Sequence, residues 1–467
     1  MLLEKASIKS LFMKKFLILF LFVSSITQAQ FTIKGKIHPV KGHKWALLYK
    51  VEGARQEFIK NSQIKEEIQS INGKNLTVGL FDFELPADAK SGSYRVTYDL
   101  QNNGYVDFLF NKEDVAFEFN PGDSENTLVF KKSKENLLFE KFTKNISSVQ
   151  YKIDSLQSAY FKTPSSSLAE DYKKLLIDLE KVQNSYIQNS RGTLAYHFIK
   201  ATNRYNSPQI AKQPQEYLNN AVIHFFDEID FSSRYLYNSS FLIDRIADYV
   251  FYMNFSQNPI KQKELYKKAI TTSLNKVTTD SFKADVLEFL ISQFSSVKNA
   301  EIVDYLFAEY YDKLPSELQN KEFKTRIVGD MSVAIGRIAP DFSWKENGVD
   351  YSLSSLTDGL SYLLIFYSTS CSHCLREVPQ VFDFLKGKNN TKVVAFAMET
   401  EDTTWKKYQK QLPGWHHVLG LGKWENKIAR KYQINSTPTY FVLGMNKKII
   451  SNPEKIEDLK LVLEQLN

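Results

Sequence analysis

Two cysteines, Cys371 and Cys374, are the only ones in a chain of 467 residues, and only Ser372 and His373 separate them. C-x-x-C spacing puts both sulfurs on one turn of backbone, where they can close a small-ring disulfide and reopen it. That is the chemistry of thiol–disulfide exchange. Two other readings compete with it. A structural disulfide this short removes little entropy from the unfolded chain, so it makes a poor staple. A zinc site needs four ligands, and here only histidines and carboxylates remain to complete it.

The flanking residues supply elements that would position the pair. Tyr362-Leu363-Leu364-Ile365-Phe366-Tyr367 is a continuous apolar and aromatic run, the mark of a strand buried on both faces. Ser368-Thr369-Ser370 breaks it. From Ser372 onward Leu375, Val378, Val381, Phe382 and Leu385 recur at helical spacing. Cys371 is thus expected where a strand hands over to a helix N-terminus. Unpaired N–H groups and the helix dipole favour a thiolate there. This makes Cys371 the attacking nucleophile, and Cys374, one turn further in and more shielded, the resolving thiol.

Cys371-Ser372-His373-Cys374, followed by Glu377 and Pro379, resembles the TlpA/ResA-type thioredoxin-fold oxidoreductases of bacterial envelopes. Ile338-Ala339-Pro340-Asp341-Phe342 and Tyr351-Ser352-Leu353-Ser354-Ser355-Leu356 resemble that family's leading segment. Thr437-Pro438, ahead of Thr439-Tyr440-Phe441-Val442-Leu443, resembles its cis-proline loop. The resemblance covers about the last 130 residues. It implies that Glu377 assists proton transfer at the cysteines. Three residues beyond Cys374 on one helix, Glu377 shares its face, and a half-buried carboxylate there can serve as base toward the thiol. The resemblance also implies that Thr437 and Pro438 form the edge on which substrate strands dock, and that Pro379 kinks the helix.

The chain departs from the family in three places. Ser370 stands where relatives carry Trp, which removes an aromatic cover beside the first cysteine. Ile365 occupies the place of thioredoxin's buried acid, so that proton route is absent. Ser372-His373 is the intervening dipeptide, and a histidine there adds positive charge beside the thiolate, which makes the couple more oxidising. The family resemblance implies a reductant while His373 leans toward an oxidant or isomerase, and the direction of electron flow stays open.

In chain order, residues 1–29 read as a cleaved signal peptide. Lys14-Lys15 precede an apolar run from Phe16 to Val23, too short to span a bilayer, and Thr27-Gln28-Ala29 offers a cleavage site. Met13 is an alternative start to Met1, and no cysteine near the cleavage site is there to take a lipid. Export to the periplasm is expected, an oxidising compartment that suits exchangeable thiols. Residues 30–125 read as a small antiparallel β-sandwich. Phe81, Phe83 and Leu85 alternate with acids, as do Tyr94, Val96, Tyr98 and Leu100 with polar residues. Asn103-Gly104 marks a hairpin before Tyr105–Phe110, and Val115, Phe117 and Phe119 form one more strand. This part is similar, in pattern alone, to the β-domain often fused ahead of such thioredoxin domains.

Residues 126–325 read as all-α, with Ser167-Leu168-Ala169-Glu170 as a capping box and prolines at 208, 214, 259 and 315 between helices. This region is expected to be a spacer, a homodimerisation surface or a partner-recognition module. His197 and His224 within it read as packing residues. Residues 326–336 read as a linker and 337–467 as the α/β thioredoxin fold, with further strands at 392–398, 416–419, 439–443 and 448–450 and helices over 402–411, 424–432 and 456–466. His416-His417 are adjacent on a strand and point to opposite faces, so they make poor co-ligands and no metal is expected.

The net charge is +7 with basic and acidic residues interleaved, which excludes a nucleic-acid binder, and 43% hydrophobic residues suffice for packed cores. The expected activity is a secreted thiol–disulfide oxidoreductase that acts on protein disulfides through a mixed disulfide. It needs no dissociable cofactor, and a membrane electron donor restores its redox state. Alternatives are a DsbA-like oxidant or isomerase, a peroxiredoxin-type thiol peroxidase, and a binding or assembly protein with an accessory redox domain. The peroxidase scheme fits poorly, because Ser368 and Leu364 stand where that family uses Thr and Pro.

Overall fold

The computed structural model describes residues 31–71 and 73–466, so the expected signal peptide lies outside the described residues. The chain divides into two compact units, Met1–Gln257 with Ala269–Thr278, and Asn258–Lys268 with Thr279–Asn467. The helical stretch expected over 126–325 is therefore shared between both.

Among the described residues of the first unit, nine strands form two sheets. They are β1 (Phe31–Ile37), β2 (Trp45–Glu52), β3 (Arg55–Gln63), β4 (Lys65–Ile71), β5 (Lys74–Leu85), β6 (Gly92–Asp99), β7 (Gly104–Phe110), β8 (Val115–Phe119) and β9 (Val129–Lys132). One sheet runs β4-β5-β1-β8-β9 and the other β3-β2-β6-β7. Ile33, Phe81, Phe83 and Phe117 from the first sheet and Leu48, Tyr94, Val96 and Phe108 from the second share one apolar core. Alternation drives this packing: Phe81, Phe83 and Leu85 are buried while Asp82 and Glu84 between them are exposed. The sandwich is not wholly antiparallel. β1 and β8 pair in parallel, because 77 residues separate Ile37 from Val115 and leave the chain free to return in either sense. The last strand, β9, also lies past residue 125.

The long helix Lys134–Lys162 follows β9, capped by Ser133, whose side chain accepts from the Asn136 N–H. Asn136 ties this helix to β7: its Oδ1 accepts from the Leu109 N–H at 2.8 Å and its Nδ2 donates to the Leu109 carbonyl at 2.7 Å. The neighbouring helix Ser166–Asn189 is capped by Ser165, which accepts from the Leu168 N–H, so the capping box expected at Ser167 is displaced. Three consecutive serines offer three hydroxyls, and the first is the one whose backbone is still extended.

In the second unit, β10 (Ser343–Glu346) and β11 (Val349–Ser352) form a hairpin. A five-stranded sheet follows, built from β12 (Ser361–Tyr367), β13 (Thr391–Glu399), β14 (His416–Leu421), β15 (Thr439–Gly444) and β16 (Ile449–Ser451) in the order β14-β13-β12-β15-β16. β12, β13 and β14 are parallel, and β15 and β16 complete the sheet antiparallel. Every residue of β12 is buried. Tyr362, Leu364 and Phe366 join the core on one face, and Leu363, Ile365 and Tyr367 that on the other. The second face is covered by the helix Ser372–Leu385, through Cys374, Val378 and Val381, and by the helix Ile456–Leu466, through Leu459 and Leu463.

Residues 326–336 are not a free linker. The helix Lys321–Asp330 runs into them, Met331, Val333 and Ala334 are buried, and the Gly336 N–H donates to the Ile449 carbonyl at 2.7 Å. Apolar burial holds this segment down. The helix expected over 424–432 is shorter, a 3-10 turn Lys423–Glu425 and then the helix Lys427–Lys431. Among the described residues no helix is long and apolar enough to cross a membrane.

Candidate active site

β12 ends at Tyr367, and Ser368-Thr369-Ser370 turns the chain back so that the Cys371 N–H donates to the Ser368 carbonyl at 3.1 Å. Cys371 then serves as N-cap of the helix Ser372–Leu385, and its Sγ accepts from the Cys374 N–H at 3.3 Å. A sulfur in the place of a capping oxygen meets the N–H groups that a helix start leaves unpaired. The Thr437–Pro438 peptide is cis, and the Thr437 carbonyl lies 3.3 Å from the Cys371 Sγ. Both cysteines are free; Cys371 is half-buried and Cys374 fully buried.

The two thiols are driven apart. Burial pushes the Cys371 thiol up, but contacts from Cys374, the Thr437 side chain and the backbone N–H of His373 outweigh it and leave it below the ordinary cysteine value. Burial pushes the Cys374 thiol up to about 12, and its contact with Cys371 adds to the rise. His373 contributes its backbone to Cys371 while its side chain is exposed, as is that of Ser372. Pro379 lies inside the helix, which continues to Leu385.

Glu377 is half-buried. Its Oε2 accepts from the Tyr440 hydroxyl at 3.2 Å, and its Oε1 lies 3.5 Å from Arg376 Nη2. Tyr440 pairs with Ile365 across β15 and β12 and shares a core with Cys374, Val378 and Tyr367. Its own ionisation is strongly disfavoured, first by burial, then by Glu377 and by both cysteines. Sequence reasoning placed Tyr440 only in a strand. The alternation of β15 after Pro438 is the signal that aims it at the cysteine helix.

Glu399 was also missed. It is the one acid closing the apolar strand β13, it is buried, and its carboxylate accepts from the Thr369 N–H at 2.6 Å and from the Ser368 hydroxyl at 3.4 Å. The Ser368 and Ser370 hydroxyls lie 2.9 Å apart, and Lys423 Nζ donates to Ser370 at 3.2 Å. Where relatives are expected to carry an aromatic cover, Ser370 joins this polar brace, which fixes the loop ahead of Cys371. Beside Cys374, the Tyr367 and Tyr408 hydroxyls are buried, with no hydrogen-bond partner among the described residues.

The histidines lie elsewhere in contacts of their own. His197 lies tilted against Tyr235 with ring centroids 4.4 Å apart, and His224 stacks on Tyr205 at 3.8 Å. His416 faces Glu346 at 3.0 Å, whereas His417 Nε2 meets the Leu412 carbonyl at 3.0 Å. Among the described residues no group of three or more His, Cys, Asp or Glu could hold a metal ion.

Residues 359–449 match the sequence model of a thioredoxin-like family. No curated protein matches the chain. Among solved structures, the thioredoxin domain of a thiol–disulfide oxidoreductase from Bacteroides vulgatus is 23% identical over 29% of this chain and 100% of its own, with a TM-score of 0.27. A thiol:disulfide interchange protein from Bacteroides sp. is 24% identical over 29% and 91%, at 0.26. A thioredoxin-like protein from Bacteroides caccae is 17% identical and covers 57% of this chain and 98% of its own, at 0.28. The segment that holds β12, the two-cysteine helix start and the Thr437–Pro438 loop is thus similar to a thioredoxin-like domain.

Proposed function

We propose that this protein is an exported thiol–disulfide oxidoreductase of the TlpA/ResA type, which reduces or exchanges disulfides in envelope proteins through a mixed disulfide on Cys371. The observation that carries this reading is the division of labour between the thiols: one half-exposed and held as a helix cap by N–H contacts, the other fully buried three residues on. The Cys371 thiolate attacks a substrate disulfide, one substrate sulfur leaves as a thiolate and takes up a proton, and a mixed disulfide remains. Cys374 then loses its proton with help from Glu377 and attacks the Cys371 sulfur. The second substrate thiol leaves reduced, and the Cys371–Cys374 bond carries the two-electron oxidation. The cis Thr437–Pro438 edge beside Cys371 is the docking strip for the extended substrate. A membrane electron donor then restores the dithiol. Export rests on the basic and apolar pattern of residues 14–29.

A second direction is favoured by the contacts that stabilise the Cys371 thiolate, because stabilising the reduced form makes a couple more oxidising. The deciding experiment is the equilibrium of the pair with glutathione and dithiothreitol buffers. A potential near thioredoxin's, about −270 mV, is expected of a reductant, and one near about −120 mV belongs to an oxidant. A pair that shows no reversible couple would remove the oxidoreductase reading altogether.

A further inference from the structure

The helical part of the first unit encloses a cavity of about 390 Å³ that contains none of the thiol site. Small-molecule pockets run from about 300 to 1,000 Å³. Three stretches of chain meet at it: the loop after the helix Ala195–Ala201, the helix Pro214–Ile223 with the turns that follow, and the end of the helix Phe241–Ala247. That last helix continues as a π-helical turn, Asp248–Met253, and Met253 lines the cavity. π-Helical turns are rare and recur at functional sites, where the wider turn re-aims side chains.

Tyr205, Tyr217, Leu218, Phe225, Ile229 and Met253 give the cavity its apolar and aromatic surface. Tyr205 is stacked on His224 with ring centroids 3.8 Å apart, so a flat face is already set. Two guanidinium groups share the wall. Arg204 donates to both oxygens of Asp154, to Oδ2 at 3.1 Å, and to the Tyr217 hydroxyl at 2.8 Å. Arg245 sits with its guanidinium carbon 5.7 Å from the Phe225 ring centre and donates through Nη2 to Asp248. Among the described residues Asp248 is its one side-chain acceptor, which leaves the rest of that guanidinium edge unused. Neither Asp154 nor Asp248 lines the cavity, and among the described residues that do there is no acid. The wall is therefore cationic as well as apolar. Asn203 completes it: its side-chain Oδ1 is buried with no hydrogen-bond partner among the described residues. A buried carbonyl oxygen without a donor is costly, and a ligand N–H would satisfy it.

We propose that this cavity binds a small aromatic carboxylate that carries an N–H donor. Its ring lies against the aromatic wall, its carboxylate takes the unused edge of Arg245, and its N–H donates to Asn203 Oδ1. A neutral apolar ligand would leave the guanidinium edge and the Asn203 carbonyl unsatisfied, and an inorganic anion would leave the apolar wall uncovered. The same chemistry belongs to a free aromatic acid and to an aromatic residue at the C-terminus of a peptide. The inference goes beyond the oxidoreductase reading and does not depend on it, since binding involves no thiol.

The test is isothermal titration of the full chain with indole-3-acetate, which has the ring, the carboxylate and the N–H. Saturable binding is expected. Indole-3-acetamide, without the charge, should bind about tenfold more weakly, and Arg245→Met should remove most of that difference. Naphthylacetate, without the N–H, should bind about fivefold more weakly, and Asn203→Ala should weaken indole-3-acetate but not naphthylacetate. Leu218→Trp, at a lining residue that is itself exposed, should reduce the binding of all three by occupying space at the wall. The tripeptide Gly-Gly-Trp with a free carboxylate separates the two sources: tighter binding than indole-3-acetate assigns the site to peptide C-termini, and weaker binding assigns it to free acids. No saturable binding by the native chain, equal affinity for the acid and the amide, or an acid affinity untouched by both Arg245→Met and Leu218→Trp would each overturn the proposal. The acid and amide comparison uses the native chain, so it decides the matter where a variant fails to fold.

Discussion

The sheets of the two units solve burial differently. In the sandwich β5 buries one face only, with buried Phe81, Phe83 and Leu85 against exposed Asp82 and Glu84. In the second unit β12 is buried along its whole length, with one core on each side. A sheet with a solvated face can place polar groups anywhere along it. A sheet covered on both faces meets solvent mainly at the strand ends, and parallel strands bring those ends together. Cys371, Glu399 and the Ser368–Ser370 loop all gather at the C-terminal ends of β12 and β13. No comparable convergence of reactive side chains occurs in the described sandwich.

The sharpest break of this contrast is Cys371→Ser, which should reduce disulfide-exchange activity to background in an insulin-reduction assay and leave the melting temperature within a degree or two. Phe366→Ala and Phe83→Ala come next. Each removes a fully buried ring and should cost about 3–5 kcal/mol in denaturant unfolding. Only the first should slow alkylation of Cys371, because Phe366 underlies the strand that delivers the cysteine. Equal slowing by both would mean that the two units are not separate in this respect.

Gly35→Ala is a smaller probe. A Cβ there would lie 2.0 Å from the Phe81 ring, so the sandwich must shift, at about 1–3 kcal/mol, with Cys371 reactivity unchanged. The smallest effect is a pH dependence. The Cys374 thiol titrates near 12 when folded, above its ordinary value of 9. Stability from keeping it protonated is fully present below pH 9 and is lost as pH rises toward 12, since only the unfolded chain ionises in that window. The reduced native protein should lose melting temperature there faster than Cys374→Ala does. For Cys371 the sign reverses: its thiolate-favouring contacts support the fold above the ordinary thiol value and weaken as pH falls through the lowered one.

Much of the site was legible because the signals are local. An apolar run, a three-residue break and helical spacing put Cys371 at a helix start, and the structure has it as the N-cap. Period-two alternation marks parts of β5, β6 and β7 as strands, although Leu100, expected in the β6 alternation, lies past the end of β6 and is exposed. β1 to β4 and β9 have no strand of their own in the sequence reading: β3 is exposed along nearly its whole length and shows no alternation to read. The segment 326–336 looked like a linker because its few apolar residues have no period, yet Met331, Val333 and Ala334 are buried.

The sequence by itself determined which atoms can react: two thiols with two residues between them, an acid one turn on, and a proline edge at a distance. Tertiary structure alone decided how they differ and what serves them. The fall of one thiol and the rise of the other come from burial and from N–H groups whose directions depend on the folded turn. Tyr440, Glu399 and Lys423 reach the site from 28 to 69 positions beyond Cys371, through register and strand ends that no local pattern encodes. Reactivity is a property of side-chain type, but proton supply and electrostatic environment are properties of neighbours, and neighbours are fixed only when the sheet closes.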